Sequence, residues 1–124
     1  MVELAIAKKL RILLVDDDVF SAELLADVLN SHGQETRAVA DGMESLAIAR
    51  EFIPHVAILD LEMPGLDGFQ IAEALRREVG TDIQIFALSG WNTKAVRDRC
   101  RDSGFDRFFA KPIPLEQIIF ALSE

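Results

Sequence analysis

Four consecutive apolar residues, Val56-Ala57-Ile58-Leu59, run into a single carboxylate, Asp60, and then into Leu61-Glu62-Met63-Pro64-Gly65-Leu66-Asp67-Gly68. An apolar run this short, bounded by turn chemistry, is the pattern of a strand buried on both faces, as in a parallel sheet. The chain cannot stay extended beyond it. Pro64 lacks a backbone donor, and Gly65 and Gly68 permit backbone angles that other residues avoid. Parallel strands need long crossover connections, usually helical. This one segment therefore demands a chain that alternates strands with helices, and it puts Asp60 at the carboxyl end of a core strand, where open α/β sheets gather their ligands.

The remaining sequence supplies that alternation. Arg11 to Val15 is an apolar run that ends in Asp16-Asp17-Asp18. Phe20, Leu24, Leu25, Val28 and Leu29 then predict one apolar helical face, capped by Asp17 or Asp18 and closed by Gly33. Thr36 to Val39 reads as a weak second strand. Asp41-Gly42 turns into a helix carrying Met43, Leu46, Ala47 and Ala49, which stops before Pro54. After Asp60 and its loop comes a helix with Phe69, Ala72, Leu75 and Val79, ended by Gly80. Ile83 to Leu88 is a fourth strand, ending in Ser89-Gly90. Asn92 to Arg101 is a charge-rich helix, and Phe105 to Ala110 a fifth strand ending in Lys111-Pro112. The last helix carries Leu115, Ile118, Ile119 and Leu122. Five strands and five helices joined by short loops imply a doubly wound α/β fold with a five-stranded parallel sheet and right-handed crossovers. By analogy with flavodoxin-like sheets the strand order is 2-1-3-4-5, with the first and third strands meeting at the switch point.

Composition narrows the setting. A chain of 124 residues is one domain. No apolar run approaches the ~20 residues that cross a bilayer, so no membrane contact is expected. Met1 to Leu10 carries Lys8 and Lys9 at its end, the wrong charge order for a signal peptide, and no small-residue cleavage site follows. The single cysteine, Cys100, excludes an internal disulfide and fits a reducing compartment, so a cytoplasmic protein is expected. A net charge of −8 argues against direct binding of nucleic acid, where affinity comes mainly from Lys and Arg.

In such a sheet the ends of strands one, three, four and five bring Asp16 and Asp17, Asp60, Ser89 and Lys111 to one edge. Three crowded carboxylates repel one another unless something neutralises them. A hard divalent cation does so, and Mg²⁺ suits a few carboxylates with a carbonyl and waters. A lysine and a hydroxyl on the opposite side could hold a tetrahedral anion against the metal. That set is an apparatus for phosphoryl transfer onto a carboxylate.

On these residues the chain resembles the receiver domain of the two-component response-regulator family, with its CheY-like fold. The resemblance covers about residues 11–122, leaving 1–10 as an N-terminal extension and no output domain. Asp60 to Gly68 follows the family's D-x-x-M-P-x-x-D-G pattern, which makes Asp60 the phospho-acceptor. The resemblance further implies that Asp16, Asp17 and Asp60 hold Mg²⁺ through side chains, and Glu62 through its backbone carbonyl. Ser89 matches the family's Thr/Ser, and Lys111 its lysine in a Lys-Pro pair whose bond is typically cis. The implied donor is a phosphohistidine on a sensor histidine kinase or a phosphotransfer protein. Ser89 and Phe108 would relay the change to the surface of the fourth helix, fifth strand and fifth helix, through which the family often docks or forms homodimers. Such a domain promotes only its own phosphorylation and dephosphorylation and is not a conventional turnover enzyme.

There are departures from the family pattern. Phe108 stands where tyrosine is frequent, and Gly90 where alanine is usual. Glu62 and Trp91 occupy positions that tune phosphoryl lifetime in the family, and a bulky Trp91 is expected to hinder water. Two other readings compete with this one. A phosphatase of the haloacid-dehalogenase type wants a D-x-D pair after the first strand, which Asp16-Asp17-Asp18 formally contains, but also a cap for which 124 residues leave no room. A receiver fold used only for binding does not need the full acidic set. His32 and His55 are expected to be structural, Cys100 gives no catalytic signal, and Asp18 reads as a plain cap. The Arg97 to Asp102 charge alternation reads as a solvated helix face or a partner surface.

Overall fold

The computed structural model describes residues 8–124; the first seven residues of the expected extension lie outside the described residues. In chain order the elements are β1 (Arg11–Val15), α1 (Val19–Ser31), β2 (Glu35–Val39), α2 (Gly42–Phe52), β3 (Val56–Asp60), α3 (Gly68–Glu78), β4 (Gln84–Ser89), α4 (Lys94–Asp102), β5 (Arg107–Ala110) and α5 (Leu115–Leu122). The sheet is parallel throughout, in the order β2-β1-β3-β4-β5. This is the doubly wound arrangement expected from the sequence, with β1 and β3 adjacent where the winding reverses.

Every residue of β3 is buried, which is why its sequence does not alternate. Alternate side chains feed two separate cores. Leu13, Val15, Ala57 and Leu59 meet Leu46, Ala49, Ile71 and Leu75 from α2 and α3. Ile12, Leu14, Val56 and Ile58 meet Leu25, Leu29, Ile118 and Ile119 from α1 and α5. Leu10 packs partly against the second core, and its amide donates to Gln34 Oε1 at 2.6 Å, so the fold takes hold one residue before β1.

The helix starts are chemical. Asp18 caps α1, accepting from the Ser21 amide and hydroxyl, which together hold its carboxyl below the usual carboxylate range. Asp41 caps α2, and Thr93 caps α4, two residues later than the sequence suggested. Asp67 opens α3 with a capping box: it accepts from the Gln70 amide while Gln70 accepts from its own amide.

Two helix faces differ from expectation. The stripe of α1 that meets the sheet is Ala22, Leu25, Ala26 and Leu29, while Phe20 and Leu24 are exposed. At about 100° per residue, Phe20 and Leu24 fall on the far side of the helix from Ala22 and Leu29. The small alanines, not the larger side chains, complete the buried face. On α2 the same thing happens: Met43 and Ala47 face outward, and Ser45, Leu46, Ala49 and Phe52 are buried. The α4 charges are not all free in solvent either. Arg99 lies over the Phe69 ring with its guanidinium carbon 3.8 Å from the centroid, and Phe69 meets Phe105 edge-on. Both histidines are structural: His55 Nδ1 accepts from the Arg11 amide, and the His32 ring contacts the Val28 carbonyl. Cys100 is the buried residue of α4, and burial pushes its thiol up to about 11. No helix of the described residues is long and apolar enough to cross a membrane.

Candidate functional site

The carboxyl ends of β1, β3, β4 and β5 converge on Asp60. As the last residue of β3 it is 1% exposed. The pairing with β4 runs on past it, with the Leu61 amide donating to the Leu88 carbonyl at 2.9 Å. The turn then needs its glycines. Gly65 sits at φ +78°, and a Cβ on Gly68 would lie 2.7 Å from the Asp60 carbonyl oxygen and 3.0 Å from Leu61 Cα. Gly68 thus lets α3 begin directly against the backbone of Asp60.

Each carboxylate oxygen of Asp60 has a partner. Oδ1 accepts from the Glu62 amide at 3.0 Å, and Oδ2 lies 3.0 Å from Lys111 Nζ. Asp16 follows β1 directly and is 2% exposed; its amide donates to the Val39 carbonyl, and its Oδ1 accepts from the Asp18 amide. Asp16 Oδ2 is 3.8 Å from the same Lys111 ammonium. Asp17 is exposed, yet a carboxylate oxygen from each of Asp16, Asp17 and Asp60 can lie within 4.8 Å of the others. The Lys111–Pro112 bond is cis, and the Lys111 amide donates to the Ser89 carbonyl at 2.8 Å.

The electrostatics follow from burial. Removal from water pushes Asp60 up to about 7, and the Asp16 charge adds to this, against the hydrogen bond and charge of Lys111 and the Glu62 amide. Burial pulls Lys111 down, but the hydrogen bond and charge of Asp60, followed by Asp16, hold it above its ordinary value on balance. Three carboxylates against one ammonium leave a surplus of negative charge in a partly dry pocket. The donor set is hard oxygen, and it fits a divalent cation such as Mg²⁺.

Ser89 ends β4 and is fully buried. Its hydroxyl donates to Glu62 Oε2 at 2.8 Å, with the Trp91 carbonyl at 3.2 Å as a second acceptor in reach, and its Oγ accepts from the Trp91 amide at 2.9 Å. The Gly90 amide donates to Glu62 Oε1 at 2.7 Å. The sequence pointed to Glu62 for its backbone carbonyl and for phosphoryl lifetime. The strand order brings the ends of β3 and β4 together, but the rotamer that turns the Glu62 carboxylate onto Ser89, 27 residues later, carries no sequence signal. Trp91 is 65% exposed and meets Ser89 through its backbone amide and carbonyl. Phe108 lies opposite Ala87 in the sheet and packs half-buried against the core shared with α2 and α3.

Beside the acids a second feature was not foreseen. A groove of about 380 Å³ runs from Asp16 and Lys111 between α1 and the start of α5, lined by Leu24, Val28, Pro112 and Ile113.

Comparison with known proteins agrees with this geometry. The family described as the response regulator receiver domain matches residues 12–123. The DNA-binding response regulator MtrA of Mycobacterium tuberculosis is 33% identical over 109 residues, covering 88% of this chain and 47% of that protein. The chain spans about half the length of the curated relatives it matches. Among solved structures, Vibrio cholerae chemotaxis protein CheY4 superposes with a TM-score of 0.86 at 26% identity, covering 93% of this chain and 97% of that one. A Burkholderia pseudomallei response regulator, described with a phosphorylated aspartic acid, a calcium ion and citrate, gives a TM-score of 0.84 at 27% identity, covering 93% of this chain and 66% of that one.

Proposed function

The chain belongs to the response-regulator receiver domain family of two-component systems, and from that premise we propose that it accepts a phosphoryl group on Asp60 with Mg²⁺. The donor is a phosphohistidine on a sensor histidine kinase or a phosphotransfer protein. A carboxylate oxygen of Asp60 attacks phosphorus, the P–O bond forms, the P–N bond breaks, and the imidazole leaves with the electron pair. Asp16, Asp17 and Asp60 would hold the metal through side chains, with the Glu62 carbonyl as a further ligand. When bound, Mg²⁺ supplies positive charge at the acceptor and phosphoryl oxygens.

The chain's own groups do the rest. Lys111, 3.0 Å from Asp60 Oδ2, holds the acceptor in place and offsets its charge, and is positioned to follow a phosphoryl oxygen. The Glu62 amide fixes the other carboxylate oxygen, so the acceptor is held at both ends. Ser89 supplies a hydroxyl to the phosphoryl group, and Phe108 follows it by packing, having no hydroxyl of its own. The readout surface is α4, β5 and α5, where Phe120 is exposed and Arg107 pairs with Glu124; it would serve a partner or a second copy. The domain promotes only its own phosphorylation and dephosphorylation. It acts in the cytoplasm, with neither nucleic acid nor membrane as its direct target.

The observation that carries this reading is a nearly inaccessible aspartate at a strand end, held by one lysine and flanked by two further carboxylates able to share a cation. The relative with a phosphorylated aspartate supports it. The test is incubation with Mg²⁺ and acetyl phosphate, followed by intact mass. The parent gains one phosphoryl group and Asp60→Asn gains none; no gain in the parent, or equal gain in both, removes the reading.

A further inference from the structure

The Glu62 side chain makes a contact that acceptance of a phosphoryl group does not call for. Its two oxygens take two donors that are consecutive in the chain, the Ser89 hydroxyl at 2.8 Å and the Gly90 amide at 2.7 Å. Ser89 has no exposure to water, so its hydroxyl cannot exchange this partner for solvent without the turn moving. A hydroxyl and the next amide aimed at one anion form a small anion-binding pair, and here the anion is the protein's own. The same Glu62 also gives its amide to Asp60 Oδ1, so one residue is tied to the acceptor on one side and to the β4 turn on the other.

Resting on the reading of Asp60 as acceptor and Ser89 as the hydroxyl that the phosphoryl group recruits, we propose that the Glu62 carboxylate is a built-in competing anion. It holds the Ser89-Gly90 donors in the unphosphorylated protein and must release them before they can turn to the group on Asp60. Glu62 is thus a positioning residue that sets how much of the population is ready to bind. A protein whose competent turn is only fractionally populated binds its anion more weakly by that fraction, and freeing the turn recovers the loss. Gly90 does not oppose the arrangement, since even a Cβ there would meet Glu62 Oε1 at an ordinary 3.5 Å. Glutamine at position 62 has nearly the same volume but carries no charge and only one acceptor in place of two. Glu62 is solvent-exposed, so the substitution leaves the fold intact.

The experiment measures the affinity for beryllium fluoride with Mg²⁺, an anion that mimics a phosphoryl group on a carboxylate. It uses the parent, Glu62→Gln, Ser89→Ala and the double variant, with Asp60→Asn as control. The ¹H–¹⁵N resonance of the Gly90 amide is recorded without metal or anion. Glu62→Gln is expected to tighten binding on the order of tenfold and to shift the Gly90 amide upfield as its charged acceptor is lost. In the Ser89→Ala background the gain from Glu62→Gln shrinks to about threefold or less, because the two groups act through one contact. An unmoved Gly90 amide overturns the proposal. So does an equal gain in both backgrounds, which would be plain charge repulsion between Glu62 and the anion. Absence of any Asp60-dependent binding in the parent and in Glu62→Gln is a different result: it removes the acceptor reading itself, and the competition with it.

Discussion

Lys111 Nζ stands 3.0 Å from Asp60 Oδ2 and also faces Asp16 Oδ2 at 3.8 Å, so a single ammonium serves two carboxylates that are almost fully withdrawn from water. The balance is incomplete. Burial and the second carboxylate push Asp60 up to about 7 despite the lysine. The metal-free site is electrostatically strained in a direction that a divalent cation would relieve.

The first prediction concerns pH in the absence of metal. The carboxyl of Asp60 lies at about 7 in the folded protein against an ordinary 3.8. Between those values the folded state binds the extra proton, so stability falls as pH rises through that window and levels off above it. Asp60→Asn removes the titrating group. In EDTA its urea midpoint is therefore expected to exceed the parent's at pH 8, with the gap closing as pH falls toward 4. A gap that widens on acidification contradicts the assignment of Asp60 as the strained group.

Lys111→Ala tests the other half of the pair. Loss of the ammonium leaves Asp16 and Asp60 facing each other without a cation. Lys111 is 31% exposed and Asp60 can take up a proton, so the cost at pH 8 without metal is expected to be about 1–3 kcal/mol, below that of a fully buried pair. Saturating Mg²⁺ should then raise the urea midpoint of Lys111→Ala by more than it raises the parent's. Equal Mg²⁺ shifts would mean that the lysine and the metal do not serve the same charges.

Gly68→Ala tests the backbone approach that seats the site. The new methyl would sit 2.7 Å from the Asp60 carbonyl oxygen and 3.0 Å from Leu61 Cα, both backbone atoms, so α3 must shift. Overpacking of this kind costs about 1–3 kcal/mol. Gly65→Ala, at φ +78° with nothing within 4 Å, has strain but no clash, and it should destabilise by less, about 1 kcal/mol. Thermal melts that rank the two variants in the opposite order would refute the close-approach account.

The contrast between these glycines shows what could be read in advance. Gly65 in a Pro-Gly turn announces itself locally, whereas the need for Gly68 arises from a contact with the strand that precedes it. The strands were legible because burial on both faces leaves an unmistakable apolar run, as in Val56 to Leu59, and their ends named Asp16, Asp17, Asp60, Ser89 and Lys111. The outward faces of α1 and α2 were less so, since Ala22 and Ala26 take the buried positions while Leu24 stays exposed, and alanine carries little signal. The link from Glu62 to Ser89 was only half legible: the strand order brings the ends of β3 and β4 together, but the rotamer that turns the Glu62 carboxylate onto Ser89 leaves no trace in the sequence.

The exposed face of α1 leads to a prediction about the donor. Asp60 is 1% exposed, so a macromolecule delivering a phosphoryl group must settle on the rim of the site. On the α1 side that rim is the apolar groove of Leu24, Pro112 and Ile113. Leu24 is 58% exposed, so Leu24→Glu should change stability by no more than about 0.5 kcal/mol. Transfer from a phosphohistidine protein is expected to slow on the order of tenfold, the effect of losing one apolar anchor. Phosphorylation by acetyl phosphate, which needs no such seat, should be unchanged. Equal slowing with both donors would place the defect in the chemistry and not in docking.

The lifetime of the phosphorylated form turns on Trp91. Its amide donates to Ser89 Oγ at 2.9 Å and its carbonyl lies 3.2 Å from the same oxygen, so when the serine turns toward the phosphoryl group the segment carrying the indole has to follow. In the unphosphorylated protein Trp91 is 65% exposed, so its ring is not locked into the core and can be carried toward the mouth of the site. A large apolar ring brought there would obstruct the in-line path of the attacking water. Trp91→Ala is therefore expected to speed hydrolysis of the phosphorylated protein several-fold, or about 1 kcal/mol off the barrier, while leaving the rate of phosphorylation by acetyl phosphate close to the parent's. Trp91→Phe, which keeps a ring, should fall between the two. The decay of the phosphorylated species by intact mass gives the answer directly: a Trp91→Ala rate at or below the parent's would mean that the ring does not guard the site.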